Sequence, residues 1–380
     1  MHKNLIYLFL SICLTIQSVK ALDYVQSKQA DSLIQASIVK VYDNPNESIE
    51  LGLKIFEDTN NSIKTRTKAL MLVSLAHTSK RDYQKALEFI VKAEELSKNI
   101  DDKVLQIEIL FRTGILYQQL KIFDKSIEFL EKTEQMALIY PDRQQVGKYL
   151  ANSYTVKGFI YKDNLNCDIA LEFFDKGIKE YKKLKNIEVN TNLSIAYYNQ
   201  GNCYTLLSDY DKAINSFNKS ITHATMEEAN SLIAFAQKGL AAVYTDQGRY
   251  QDAIVLLEEA SKKSQNVGDL ILNSSIYSGL FENYLAINNW EKYETYYNLY
   301  AKTQLDIKSS ERKSVDDSIR KIKDVQSEKL TDIKSKFKNQ LTWLGVIFLV
   351  IIFLCFLVVK NSKSDIISLK KEIEQLQNQK

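Results

Sequence analysis

The chain has 380 residues, in which Lys+Arg (50) nearly balances Asp+Glu (47) for a formal charge of +3. So small an excess gives no broad basic field to hold phosphates, and direct nucleic-acid binding is not expected. Proline (2) and glycine (11) are scarce, in keeping with long helices and few turns that need positive φ.

Residues 1–21 begin with His2 and Lys3, run through an apolar stretch from Leu5 to Ile16 and end in Val19-Lys20-Ala21. A basic start, an apolar middle and a permissive cleavage site predict a secretory signal peptide, cut after about Ala21. Cys13 follows bulky Ile12, where a lipoprotein cysteine would need a small residue, so lipidation is not expected.

Beyond the leader the chain repeats itself. Seven times a small residue, or one in its place, is followed three positions later by a larger one: Ala36/Val39, Ser74/His77, Gly114/Tyr117, Gly158/Tyr161, Gly201/Tyr204, Ala241/Tyr244 and Phe281/Tyr284. Twelve positions after the first member stands Ser48, Ala86, Ser126, Ala170, Ala213 or Ala253, with Tyr293 in the last copy. Self-similarity at a long period predicts a solenoid, in which each helix pair buries its apolar face only by stacking on its neighbours. Within one unit, Gly201–Tyr204 belongs to a first helix, Ser208-Asp209-Tyr210 to a turn, and Asp211-Lys212-Ala213 opens a second helix through Phe217 and Ser220. Gly201 and Ala213 let the two helices approach while Tyr204, Tyr210 and Phe217 fill the space between them.

These residues resemble the tetratricopeptide repeat family over roughly residues 24–300, most clearly in Tyr210-Asp211-Lys212-Ala213 and Gly248-Arg249-Tyr250-Gln251-Asp252-Ala253. The resemblance implies an all-α fold, a right-handed α-α superhelix of about seven helix pairs over 22–300, which binds a protein or peptide and carries no cofactor. The steps between small positions run from 38 to 44 residues, against about 34 in the family, so the helices should be longer by about a turn. The proline that commonly ends a unit is mostly missing, since only Pro45 and Pro141 occur.

In the family the inner groove is lined by first-helix residues that face away from the hairpin core. Carried onto this chain, that selects Phe111, Arg112, Gln118, Thr155, Lys162, Tyr198, Asn199, Asn202, Thr205, Lys238 and Thr245. Aromatic, amide and cationic groups of this kind grip a peptide by stacking and by hydrogen bonds to its backbone or carboxylate; for each, the alternative is a solvated helix face. The cluster Tyr198, Asn199 and Asn202 beside Lys238 is the favoured site. Tyr117, Tyr161, Tyr204, Tyr244 and Tyr284 fall on the internal packing position and are expected in the core.

Cys167 and Cys203 are expected as ordinary small core residues, with a disulfide between the units of Gly158 and Gly201 as the alternative. His2, His77 and His223 stand apart from one another and from any cysteine or acidic pair at ligand spacing, so no metal site is expected. With no phosphate loop, nucleophile elbow or HExxH in the sequence, catalysis is not expected.

After the repeats, residues 301–340 form a charged segment without proline or glycine, in which Val315, Ile319, Ile322, Val325, Leu330, Ile333, Phe337 and Leu341 keep near the helical period. A helical linker is predicted, continuing into the apolar run 341–359. That run holds no charge and at about 1.5 Å per residue would cover roughly 28 Å, so it is predicted to be one transmembrane helix. In the tail 360–380, Ile366, Leu369, Ile373 and Leu376 are spaced as heptad a and d positions, predicting a short cytoplasmic coiled coil. Linker and coil together suggest a homodimer.

The expectation is therefore a single-pass protein of the cytoplasmic (inner) membrane whose extracytoplasmic solenoid binds a protein or peptide. Two alternatives are the sensor part of a membrane-bound transcriptional regulator or signalling protein whose output domain is elsewhere, and an envelope assembly factor.

Overall fold

The computed structural model of the chain describes residues 27–185, 188–264 and 269–377. The predicted leader, 1–21, lies outside them. All regular structure among the described residues is helical. The chain divides into two compact units, the first ending at Thr303 and the second starting at Gln304.

The first unit is a run of seven helix hairpins. They are α1 (27–40) with α2 (Pro45–Glu57), α3 (Ile63–Ser79) with α4 (Tyr83–Ser97), α5 (Lys103–Gln119) with α6 (Phe123–Ile139), and α7 (Arg143–Asp163) with α8 (Cys167–Tyr181). Then follow α9 (Asn190–Leu206) with α10 (Tyr210–Met226), α11 (Asn230–Asp246) with α12 (Tyr250–Ser264), and α13 (Leu270–Ala286) with the start of α14 (Trp290–Gln377). Most first helices have 17 residues and α7 has 21, which absorbs part of the long repeat period.

From α3 on, the six hairpin turns are built the same way. The residue seven places after the small position takes a left-handed backbone: Arg81, Lys121, Leu165, Ser208 and Asn288 at φ 58° and Gly248 at φ 73°. The next residue donates its N–H back to the carbonyl three places after the small position, as in Asp82 to His77, Asp209 to Tyr204 and Arg249 to Tyr244, at 2.8–2.9 Å. This closes the first helix by the two-bond C-terminal capping pattern. The same residue then starts the second helix, and the side chains of Asp82, Asn166 and Asp209 each accept from the backbone N–H three places on. One residue thus ends one helix and caps the next.

The small positions do what their spacing predicts. A Cβ on Gly201 would fall 2.8 Å from the Phe217 ring, and one on Gly158 would fall 2.5 Å from Phe174. Leu130, Phe174, Phe217 and Leu257, each sixteen residues after a small position, are at most 2% exposed. Burial of each such side chain favours folding by about 1.5–3 kcal/mol. Phe217 also meets Gly239 of the following hairpin, where a Cβ would lie 2.4 Å from its ring. One ring therefore joins α9, α10 and α11.

The larger residues three places on form a second layer. His77 stacks on Phe89, Tyr117 on Phe129, Tyr161 on Phe173 and Tyr284 on Tyr296, with ring centroids 5.3–5.6 Å apart. Tyr204 and Tyr244 lie instead under Lys212 and Arg249, at 5.5 and 3.9 Å from the ring centroids. Of the tyrosines expected in the core, Tyr284 is buried and the other four are half-buried. A tyrosine packs its ring while keeping its hydroxyl near water or a polar partner.

In the second unit α14 runs on as helix through the charged segment and the apolar run. The expectation of a transmembrane helix over 341–359, and with it an inner-membrane location, is corrected here: among the described residues no helix is long and apolar enough to cross a membrane. Within the apolar run the side chains are described over 341–352 except residue 346, and then at Cys355. Of the coil positions, Ile366 is exposed; the side chains of Leu369, Ile373 and Leu376 lie outside the described ones.

Candidate functional site

First helices of neighbouring hairpins touch one another, α5 with α7, α7 with α9, α9 with α11 and α11 with α13. They share an inner face, and a ligand-binding groove on this unit would run along it. The structure distributes the residues selected for that groove unevenly.

Phe111 is 8% exposed and packs with Leu130 and Ile160, its ring tilted against Tyr149 at 5.9 Å. Thr155 is buried, and its hydroxyl donates to the Ala151 carbonyl at 2.9 Å in the space left by Gly177. Asn199 is also buried, with Nδ2 donating to the Ile195 carbonyl at 2.9 Å. Tyr198 leans on Phe217 and Phe235, with centroids 6.0 and 5.9 Å away. These four therefore belong to the packing between hairpins. Gln118, Lys162, Asn202 and Thr205 are half-buried; Gln118 accepts from Gln119, Lys162 lies 3.8 Å from Asp163, and Thr205 donates to Gly201.

Arg112, Lys238 and Thr245 line cavities. Arg112 pairs with Glu108 one turn back at 2.7 Å and borders a cavity of about 240 Å³ between α3 and α5, whose other walls include Met71, Leu75, Thr78 and Ile115. Lys238 and Thr245 border a second cavity, of about 300 Å³, between α11 and α13, with Asp246, Ser275, Ser278, Glu282 and Asn283. The two sites differ in chemistry, one apolar with a paired guanidinium and the other polar.

The polar cavity is held from both sides. The Thr245 hydroxyl donates to the Ala241 carbonyl at 3.0 Å and accepts from Asn283 Nδ2 at 2.9 Å, while Nδ2 also donates to the Gly279 carbonyl at 2.7 Å. Asn283 is 1% exposed, so this link fixes α11 against α13. The Ser278 hydroxyl donates to Glu282 at 2.8 Å. Lys238 is half-buried, and desolvation pushes its pKa below the usual lysine value. Among first-helix cations, Lys68 pairs with Asp31 at 2.6 Å and Lys157 with Glu134 at 2.9 Å. Lys238 lies in a hollow where, among the described residues, no ion pair compensates its loss of water.

Ser275, Ser278, Glu282 and Asn283 escaped the sequence reading. A usable signal existed, since Ser278 stands three residues before Phe281 as Lys238 stands three before Ala241. Among the described residues no group of His, Cys, Asp and Glu is placed to hold a metal ion.

Two segments, 194–224 and 239–267, match the tetratricopeptide repeat family. The chain is 24% identical over 203 residues to response regulator aspartate phosphatase E of Bacillus subtilis (strain 168), covering 53% of this chain and 51% of that protein. It thus spans about half the length of the curated relative it matches. Among solved structures it is similar to the signal transduction ATPase with numerous domains that carries a tetratricopeptide repeat sensor, from Pyrococcus horikoshii (TM-score 0.59, 17% identity, 76% of this chain and 41% of that one). It is also similar to the apo form of RapI (TM-score 0.53, 16% identity, 76% and 88%). Over these two segments, which lie in α9 to α12, the chain is similar to the tetratricopeptide repeat family, and its hairpins share that fold.

Proposed function

We propose that the first unit is a binding scaffold that takes a peptide or an extended segment of a partner protein along the inner face, with the α11/α13 cavity as an anchoring point. The observation that carries this reading is Lys238, a desolvated ammonium without an ion pair, in a cavity of about 300 Å³ whose other walls offer hydroxyls, an amide and a carboxylate. An incoming carboxylate would restore to Lys238 the interaction it lacks, a charge-assisted contact worth about 1.5–3 kcal/mol. Glu282 and the serines would take backbone N–H groups on either side of it. No step of this function needs a nucleophile or a proton relay, and the chain acts by binding.

The test is selection of binders from a random peptide display library with the full chain, followed by competition and mutation. Lys238→Met keeps the aliphatic stem and removes the charge; selected peptides should carry an acidic group or free carboxylate, and their affinity should fall about 10-fold or more. Binders that are indifferent to Lys238→Met and shield a different face from hydrogen exchange would overturn the assignment.

A second reading makes the solenoid the sensing part of a signalling protein. It is favoured by the relative named as a response regulator aspartate phosphatase and by the solved structure whose repeats are described as a sensor. Under this reading peptide capture would alter association with a second protein, measurable as a peptide-dependent change in a pull-down with response regulators.

A further inference from the structure

The unit built around Gly158 breaks its own pattern at one place. Nine residues after the small position, where the second helix opens, five of the other units have Tyr83, Phe123, Tyr210, Tyr250 and Trp290, and the first has Pro45. Here the residue is Cys167, the first of α8. In the next hairpin, two residues after Gly201, stands Cys203, where other units have Ala76, Leu116, Ile160 and Val243. The two exceptions meet. Cys167 and Cys203 share one core cluster with Ala170, Leu171 and Phe174, and the Cys203 thiol lies within hydrogen-bond reach of Cys167. Both are free thiols.

Packing alone gives no reason for an aromatic to give way to a thiol facing a second thiol. Cys167 keeps 5% of its surface exposed beside the α7/α8 turn, whereas Cys203 is 0% exposed. Burial, together with the neighbouring sulfur, pushes the Cys203 thiol well above the usual cysteine range, so it keeps its proton at rest. The pair thus has an outer member that a small oxidant reaches and an inner member held against it.

We propose that Cys167 and Cys203 form an oxidative modification site, in which a hydroperoxide converts the two thiols to a disulfide that ties the start of α8 to α9. In the first step the Cys167 sulfur attacks hydrogen peroxide, the O–O bond breaks, and a sulfenic acid and one water form. In the second the Cys203 sulfur attacks the sulfenic sulfur; the S–S bond forms, the S–O bond breaks, and the hydroxyl leaves as water with the Cys203 proton. Two thiols lose two electrons and one peroxide becomes two waters. Because α9 contributes Asn202 and Thr205 to the inner face, the bond fixes the step between two hairpins beneath that face.

The experiment uses the full chain with Cys13→Ser and Cys355→Ser, so that only the pair remains. After treatment with a few equivalents of hydrogen peroxide, intact mass should fall by about 2 Da and a peptide linking Cys167 to Cys203 should appear, both reversed by dithiothreitol. A crosslink closing a loop of about 36 residues should raise Tm by about 5–10 °C. Adding Cys203→Ser should leave Cys167 as a sulfenic acid that dimedone traps. Should that variant not fold, the linked peptide in oxidised wild-type chain still decides. Stepwise addition of oxygen at Cys167 with Cys203 left free, or two thiols untouched in folded protein, would overturn the proposal.

Discussion

The contact of Phe217 with Gly239 makes a demanding test of how the hairpins are stacked. In Gly239→Ala the new methyl would lie 2.4 Å from one ring carbon of Phe217 and 2.7 Å from another, inside any tolerable separation. The ring has little room to retreat: it is 0% exposed, the Tyr198 ring lies 6.0 Å away, and Gly201 is packed against its other side. Overpacking of this kind costs about 1–3 kcal/mol, while replacing a mid-helix glycine by alanine returns about 1 kcal/mol of helix propensity. The net expectation is a loss of up to about 2 kcal/mol. Phe217→Leu alone should also destabilise, by about 1–2 kcal/mol, but it clears space for the methyl. The double variant should therefore be more stable than the sum of the two losses, by about 0.5–2 kcal/mol. Urea unfolding of the four proteins gives the cycle, and hydrogen exchange of α9 to α11 reads the effect locally. A cycle additive to within about 0.5 kcal/mol would refute the idea that one ring locks three helices.

Other parts of the structure yield equally direct expectations. Leu165 sits in the left-handed region and is 84% exposed, so Leu165→Gly should stabilise by about 0.5–1 kcal/mol; Gly248→Ala should destabilise by about 1 kcal/mol, both read from thermal unfolding. Lys157, 6% exposed along its side chain, pairs with Glu134, and burial raises the Glu134 pKa above the usual value. Lys157→Met should cost about 3 kcal/mol at neutral pH. A raised carboxyl pKa favours the fold below the unfolded value and loses that contribution as pH climbs through the folded one, so the deficit of Lys157→Met should shrink as pH is lowered toward 4.5. Tyr181, pushed up to about 12 by burial, contributes stability that is complete below the ordinary tyrosine range and lost as pH rises through about 12. Absorbance titration should show it ionising above the ordinary tyrosine range, and in Tyr181→Phe one such late-ionising group should be missing.

The hairpin design could be read from the sequence because it rests on volume. Gly114, Gly158 and Gly201 had to face something large, and Leu130, Phe174 and Phe217 sixteen residues later are what they face. The turn conformation could not be read in the same way. Arg81, Lys121, Leu165, Ser208 and Asn288 have no common chemistry, yet all take positive φ, because the two capping hydrogen bonds and the packed helices outweigh about 1 kcal/mol of local strain. The inner face was harder still. First helices are covered by their own partner and by the next hairpin, so polarity does not mark exposure. Thr155 and Asn199 return hydrogen bonds to their own helix at Ala151 and Ile195, which lets a polar side chain be satisfied inside the packing. Lys238 was legible as a groove residue, but the cavity it shares with α13 was not.

The turn in which one residue closes a helix and caps the next leaves no slack inside a hairpin. From Ser74 to Ala86, Gly201 to Ala213 or Ala241 to Ala253 the interval is always twelve residues, although the step from one unit to the next varies from 38 to 44. All of that variation is taken up by helix ends and by the loops between hairpins. The solenoid behaves as rigid blocks on an adjustable string, and those loops are where added residues, a fluorophore or an inserted domain can change the spacing of its binding surface while each block stays intact.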